Sequence, residues 1–156
     1  MNAEEVVILV ADDDSGHAAL MKKSLRRSGF KNNSLHFKDG KEILNFLFQK
    51  GNGQHLVPDT TYLLLLDIRM PVVDGVEVLR QIKQDRELCK MPVVMLTTIE
   101  NPIEVEECNK LGCRIYLTKP VSFRKFIESI SKLGLFLKVI QLPNPNESKE
   151  KRRARL

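Results

Sequence analysis

The stretch LLLLDIRMPVVDG, residues 63–75, decides how the chain is built. Leu63 to Leu66 run without polar interruption into Asp67, and Pro71 follows four residues later. A short apolar run bounded by turn residues predicts a strand covered on both faces, as in the parallel sheets of α/β proteins. Such a strand is a rigid, dry mount, and it holds Asp67 at its carboxyl end. Met70-Pro71 and Asp74-Gly75 then turn the chain away and leave that end open.

Working outward, VVILVA (6–11) and MPVVMLTT (91–98) are apolar runs of the same kind. CRIYLT (113–118) is a further strand and NSLHFK (33–38) a weaker one. Helical spacing fills the gaps. Ala18, Met21 and Leu25 share one face of the segment from Ser15, which ends near Gly29. In residues 40–50 the expected face is Ile43, Leu44, Leu47 and Phe48, and in 75–84 it is Val76, Leu79 and Ile82. Asn101-Pro102 with Glu104 is a strong helix start, and that helix ends at Leu111-Gly112. Ser122 caps a last helix carrying Phe123, Phe126, Ile127 and Ile130. Five strands alternating with five helices predict a doubly wound α/β fold, a five-stranded, mainly parallel sheet flanked by five helices.

Composition bounds the function. The 156 residues suit one domain, and no apolar run reaches the ~20 residues of a membrane span. The N-terminus has no basic stretch before its apolar run, unlike a signal peptide. Cys89, Cys108 and Cys113 form no C-x-x-C pair, which argues against a disulfide framework or structural zinc and for a cytoplasmic protein. His17, His36 and His55 are scattered and read as packing or surface residues. The net charge is +5, yet Lys149, Lys151, Arg152, Arg153 and Arg155 against Glu147 and Glu150 put +3 of it after Asn144. Residues 1–143 are thus expected to fold, and 144–156 to form a basic, disordered tail.

In a parallel sheet, ligands bind beyond the carboxyl ends of the strands. There the first strand delivers Asp12 and Asp13, with Asp14 next; the third delivers Asp67; the fourth Thr97 and Thr98; the fifth Thr118 and Lys119. Singly, each has an ordinary explanation, since an acid after a strand commonly caps the next helix. Jointly they place carboxylates, a hydroxyl and an ammonium on one edge. Crowded carboxylates need a cation, and an oxygen-only set suits Mg²⁺. A carboxylate beside that ion can attack phosphorus, while Lys119 and Thr97 hold the phosphoryl oxygens.

ADDD (11–14), LLLLDIRMPVVDG (63–75), VVMLTT (93–98) and YLTKP (116–120) together resemble the receiver domain of bacterial two-component response regulators, over residues 5–141. The resemblance implies a flavodoxin-like receiver fold and a signalling phosphoacceptor in place of an enzyme. It implies Asp67 as the residue that takes a phosphoryl group from a sensor histidine kinase. Asp12, Asp13, Asp67 and the backbone carbonyl of Arg69 would hold Mg²⁺. Thr97 would be the switch hydroxyl, Tyr116 the aromatic that moves with it, and Lys119 the phosphate-binding lysine, with Lys119-Pro120 in cis. Residues 110–143 further resemble regulators that partner phytochromes. That likeness implies a phytochrome-type kinase, and the apolar stripe of Leu133, Phe136, Leu137 and Ile140 suggests a homodimer through the 101–141 region. Thr98 is bulkier than the Ala or Gly common in the family beside the switch residue, while Arg69 and Ile99 lie next to the phosphoryl site, where the family varies and where they would act on the hydrolytic water.

Other readings fit less well. A flavin carrier of the same strand order needs a hydroxyl-rich phosphate loop, and Asp12-Asp13-Asp14 would repel the phosphate. A phosphatase with an Asp nucleophile of the haloacid dehalogenase type needs a second Asp where Arg69 stands. Alternatives within signalling are a phosphorelay intermediate or a nucleic-acid-associated regulator using KEKRRARL, although nucleic acid is not the expected partner.

Overall fold

The computed structural model describes residues 6–27, 32–98 and 101–132. Ile99, the stripe from Leu133 to Ile140, the 143/144 domain boundary and the basic tail lie outside the described residues. The strands are β1 (Val6–Ala11), β2 (Ser34–Phe37), β3 (Thr61–Asp67), β4 (Val93–Thr97) and β5 (Tyr116–Thr118). The helices are α1 (Ser15–Arg27), α2 (Gly40–Leu47), α3 (Gly75–Gln84), α4 (Pro102–Lys110) and α5 (Phe123–Lys132), with a 3-10 turn at Leu88–Lys90. All strand pairs are parallel, in the order β2-β1-β3-β4-β5. The expected doubly wound sheet with five helices is therefore the fold.

The four leucines of β3 show why its sequence does not alternate. Successive side chains point to opposite faces of a strand. Leu64 and Leu66 join Leu9, Ile43, Phe46, Val78, Leu79 and Ile82 on the α2–α3 side. Leu63 and Leu65 join Ile8, Val10, Met21, Leu25 and Phe126 on the α1–α5 side. All four leucines are wholly buried, each contributing about 1.5–3 kcal/mol through burial.

Two local expectations differ from the structure. On α2 the deeply buried aromatic is Phe46, while Leu44 and Phe48 are half-buried. The Phe46 ring packs 5.1 Å from Phe37 and 5.8 Å from Tyr62, contacts made across sequence that helical spacing alone does not reveal. β5 begins at Tyr116, not Cys113, because Cys113 closes the end of α4. Its N–H bonds the Cys108 carbonyl at 3.0 Å, the Gly112 N–H bonds Asn109, and Gly112 has φ +92°. This left-handed glycine termination tucks Cys108 and Cys113 into the core.

Candidate functional site

The polar residues singled out by the sequence sit on the last rungs of the central strands. The Asp12 N–H bonds the Phe37 carbonyl (2.9 Å), the Ile68 N–H bonds Leu96 (3.0 Å), and the Lys119 N–H bonds Thr97 (2.8 Å). These rungs clamp the backbones of Asp12, Asp67, Thr97 and Lys119 at neighbouring points along one edge. The edge includes the gap between β1 and β3, where the strand order reverses and parallel sheets open a crevice.

The loop after β3 keeps that crevice open. Gly75 N–H bonds the Ile68 carbonyl at 2.7 Å, and a Cβ on Gly75 would overlap the Asp67 carbonyl oxygen. Glycine is needed for this close return, and Asp74 caps α3 through the Glu77 N–H (2.9 Å). At the loop tip, exposed Val72 has φ +69° beneath a Val73 N–H to Pro71 carbonyl bond of 2.8 Å. That three-residue turn strains a β-branched residue and pins the loop.

Asp12, Asp13 and Asp67 each offer a carboxylate oxygen within 4.8 Å of the others. Lys119 Nζ donates to Asp67 Oδ2 at 2.6 Å and to Asp12 Oδ2 at 2.9 Å. Asp12 and Asp67 are almost fully buried, as is Thr97, while Asp13 is exposed. Three carboxylates face one ammonium, so the donor set is all oxygen and under-neutralised, which suits a hard divalent cation.

The two buried carboxylates are not equivalent. Asp12 Oδ2 takes Lys119 and the His17 Nδ1 (2.7 Å), and its Oδ1 takes the Asp14 N–H (2.9 Å). Burial works against its charge, but Lys119, the Asp14 N–H and His17 together hold Asp12 below the usual carboxylate range. Asp67 has Lys119 on Oδ2 and only a long bond from the Arg69 N–H (3.3 Å) on Oδ1. There burial outweighs Lys119, the charge of Asp12 adds to it, and Asp67 is pushed up. Burial also works against the Lys119 charge, but its bonds to Asp67 and Asp12 hold its pKa above the usual lysine value. Asp67 is thus the more basic carboxylate with the fewer donors, the one better placed to act as a nucleophile.

Tyr116 on β5 points its hydroxyl at the end of α4. Its oxygen lies 3.0 Å from the carbonyls of Val105 and Cys113 and 2.6 Å from Asn109 Oδ1. Its place on a fifth strand agrees with the strand expected over residues 113–118. Asp14, left out of the expected Mg²⁺ set, is exposed and caps α1 through the His17 N–H (2.9 Å). One reading needs correction: His17 and His36 are not merely packing or surface residues. His17 bonds the Asp12 carboxylate, and His36 Nε2 donates to the Asp12 carbonyl at 2.6 Å. The available signal was positional: His17 opens the helix that follows the acids, and His36 lies on the strand paired with β1.

The family described as response regulator receiver domain matches residues 8–131. Among curated proteins, the chain is 34% identical to a probable methanogenesis regulatory protein, FilR2, of Methanothrix harundinacea, over 81% of this chain and 80% of that one. It is 32% identical to the response regulator Rcp1 of Synechocystis sp., over 88% of this chain and 92% of that one. Among solved structures, the bacteriophytochrome response regulator RtBRR superposes with a TM-score of 0.71 at 33% identity, covering 95% of this chain and 89% of its own. The Mn²⁺-bound form of Rcp1 superposes with a TM-score of 0.66 at 31% identity, covering 88% and 99%.

Proposed function

The chain belongs to the response regulator receiver domain family, and from that premise we propose that Asp67 accepts a phosphoryl group from the phosphohistidine of a sensor histidine kinase. The observation that carries this is the pairing of a raised, donor-poor Asp67 with Lys119 at 2.6 Å, beside Asp12 and Asp13. An Asp67 oxygen forms the new O–P bond and the P–N bond of the donor breaks. The electron pair leaves on the imidazole, which takes up a proton. Lys119 stays within reach of the transferred oxygens and offsets their charge.

Asp12, Asp13, Asp67 and the Arg69 carbonyl would hold Mg²⁺. Such an ion supplies charge neutralisation at the phosphoryl oxygens when bound. Thr97, at the end of β4, then turns its hydroxyl onto the phosphoryl group, and Tyr116 shifts in response. Phosphorylation thereby biases a two-state surface formed by α4, β5 and α5. Likeness to the bacteriophytochrome response regulator RtBRR supports a phytochrome-type kinase as donor. The free thiols Cys89, Cys108 and Cys113 support a cytoplasmic setting. We further read the 101–141 region as a homodimer face whose association follows the phosphorylation state.

The test is phosphoryl transfer from a labelled histidine kinase or a small-molecule phosphodonor with Mg²⁺. Wild type is expected to take up one acid-stable, base-labile phosphoryl group per chain, and Asp67→Asn none. Uptake by Asp67→Asn at the wild-type level would refute the site, and uptake unaffected by chelation of divalent ions would refute the metal.

A further inference from the structure

We infer that Arg69 couples the charge at Asp67 to helix α4, by leaving Glu104 for the phosphoryl group. This exchange rests on the reading of Asp67 as phosphoacceptor. Arg69 lies two residues beyond Asp67, and its N–H bonds Asp67 Oδ1 at 3.3 Å. Its side chain is exposed and reaches across to Glu104, with Nε 3.6 Å from Oε1. Glu104 stands in the first turn of α4. One side chain therefore bridges the phosphoacceptor loop and the start of a helix on the proposed output face.

The bridge is built to be exchanged. An ion pair whose arginine is largely exposed is weak in water even with its carboxylate part-buried, so a stronger anion nearby displaces it. The phosphoryl group brings close to two negative charges and several acceptor oxygens. A guanidinium matches that geometry with paired N–H donors, and a lone, partly solvated carboxylate competes poorly. The Arg69 peptide need not move, because the long side chain only has to swing toward the residue two places before it.

The consequence falls on a helix with little else to hold it. Among α4 residues only Cys108 is fully buried, whereas Ile103 beside Glu104 is 70% exposed. Once Arg69 leaves, the Glu104 carboxylate faces a new anion without its cation, and like-charge repulsion acts on the first turn of α4. A charge placed on β3 becomes a displacement at α4, by a route separate from Thr97 and Tyr116.

Hydrogen–deuterium exchange of the α4 amides in the full chain tests this, at rest and after treatment with acetyl phosphate and Mg²⁺, with uptake measured in parallel. Wild-type α4 is expected to exchange ~2- to 5-fold faster when phosphorylated, the span of one exposed ion pair. Glu104→Gln should take up phosphoryl normally, exchange fast already at rest, and gain little further. The reversed pair, Arg69→Glu with Glu104→Arg, restores slow resting exchange. It should stay slow in phosphorylated molecules, since an acid at position 69 has no attraction to the phosphoryl group. The inference is overturned if Glu104→Gln keeps slow resting exchange, or if the reversed pair responds as wild type does. Wild type that takes up no phosphoryl group overturns the acceptor reading and the exchange step with it, while resting exchange in Glu104→Gln still decides whether the ion pair holds α4.

Discussion

Helices α3 and α4 follow neighbouring strands, and both start at an Asx cap, yet they are held in different ways. α3 buries Val76, Val78, Leu79 and Ile82 and packs Gly75 against the Asp67 backbone. α4 buries Cys108 alone; polar contacts bind its two ends, Arg69 to Glu104 at the first turn and the Tyr116 hydroxyl near the last. Apolar burial is non-directional and collectively large, so α3 is a fixed mount beside Asp67. Polar contacts are individually small and sensitive to charge, so α4 can answer to a change at Asp67. A switch needs both kinds of helix beside one site.

The largest expected effect lies on the fixed side. Ile82→Ala should lower the unfolding free energy by about 2–5 kcal/mol in urea titration, since the side chain is wholly buried. A loss under about 1 kcal/mol would mean α3 is no firmer than α4. Next comes an effect of opposite sign, at Asp67. Burial raises the Asp67 pKa against the pull of Lys119, so its ionised form costs native stability at neutral pH. That cost falls as pH drops through the raised folded value and is gone below the unfolded one. Asp67→Asn should therefore melt higher than wild type at pH 7, with the gap closing in acid. A gap that widened toward low pH would reverse the assignment of Asp67 as the strained carboxylate.

Smaller changes sharpen the description of α4. Tyr116→Phe removes the hydroxyl shared by the end of α4 and should cost about 1 kcal/mol. Its signature is faster amide exchange confined to α4, whereas uniform acceleration would assign Tyr116 to the global core. Smallest of all, Ile103→Ala on the exposed face of α4 should change stability by less than about 0.5 kcal/mol in the same urea titration. A larger loss would show that the exposed face of α4 has an apolar partner.

The sheet was legible in the sequence because both faces of its central strands are buried, which forces continuous apolar runs such as Leu63–Leu66. Asp12, Asp13, Asp67, Thr97 and Lys119 were legible as strand-end residues, since the fold brings all such ends to one edge. Less visible were contacts that depend on how elements sit across the sheet. Phe46 was hidden because α2 is turned by aromatic contacts with Phe37 and Tyr62. His17 and His36 were hidden because a histidine's role is set by the atom it meets, here two different oxygens of Asp12. The Arg69–Glu104 pair joins residues 35 positions apart in different elements, a separation no local pattern reports.

The turn ending α4 places two thiols where chemistry scarcely reaches them. Burial pushes Cys108 up to about 11 and raises Cys113 as well, so neither offers an appreciable thiolate at neutral pH. Cys89, half-exposed near the opposite end of the sheet from Asp67, is left as the natural attachment point for a thiol-reactive dye. The unmodified chain thus comes ready for site-selective fluorescence, with the thiols at the end of α4 insulated from mild oxidants.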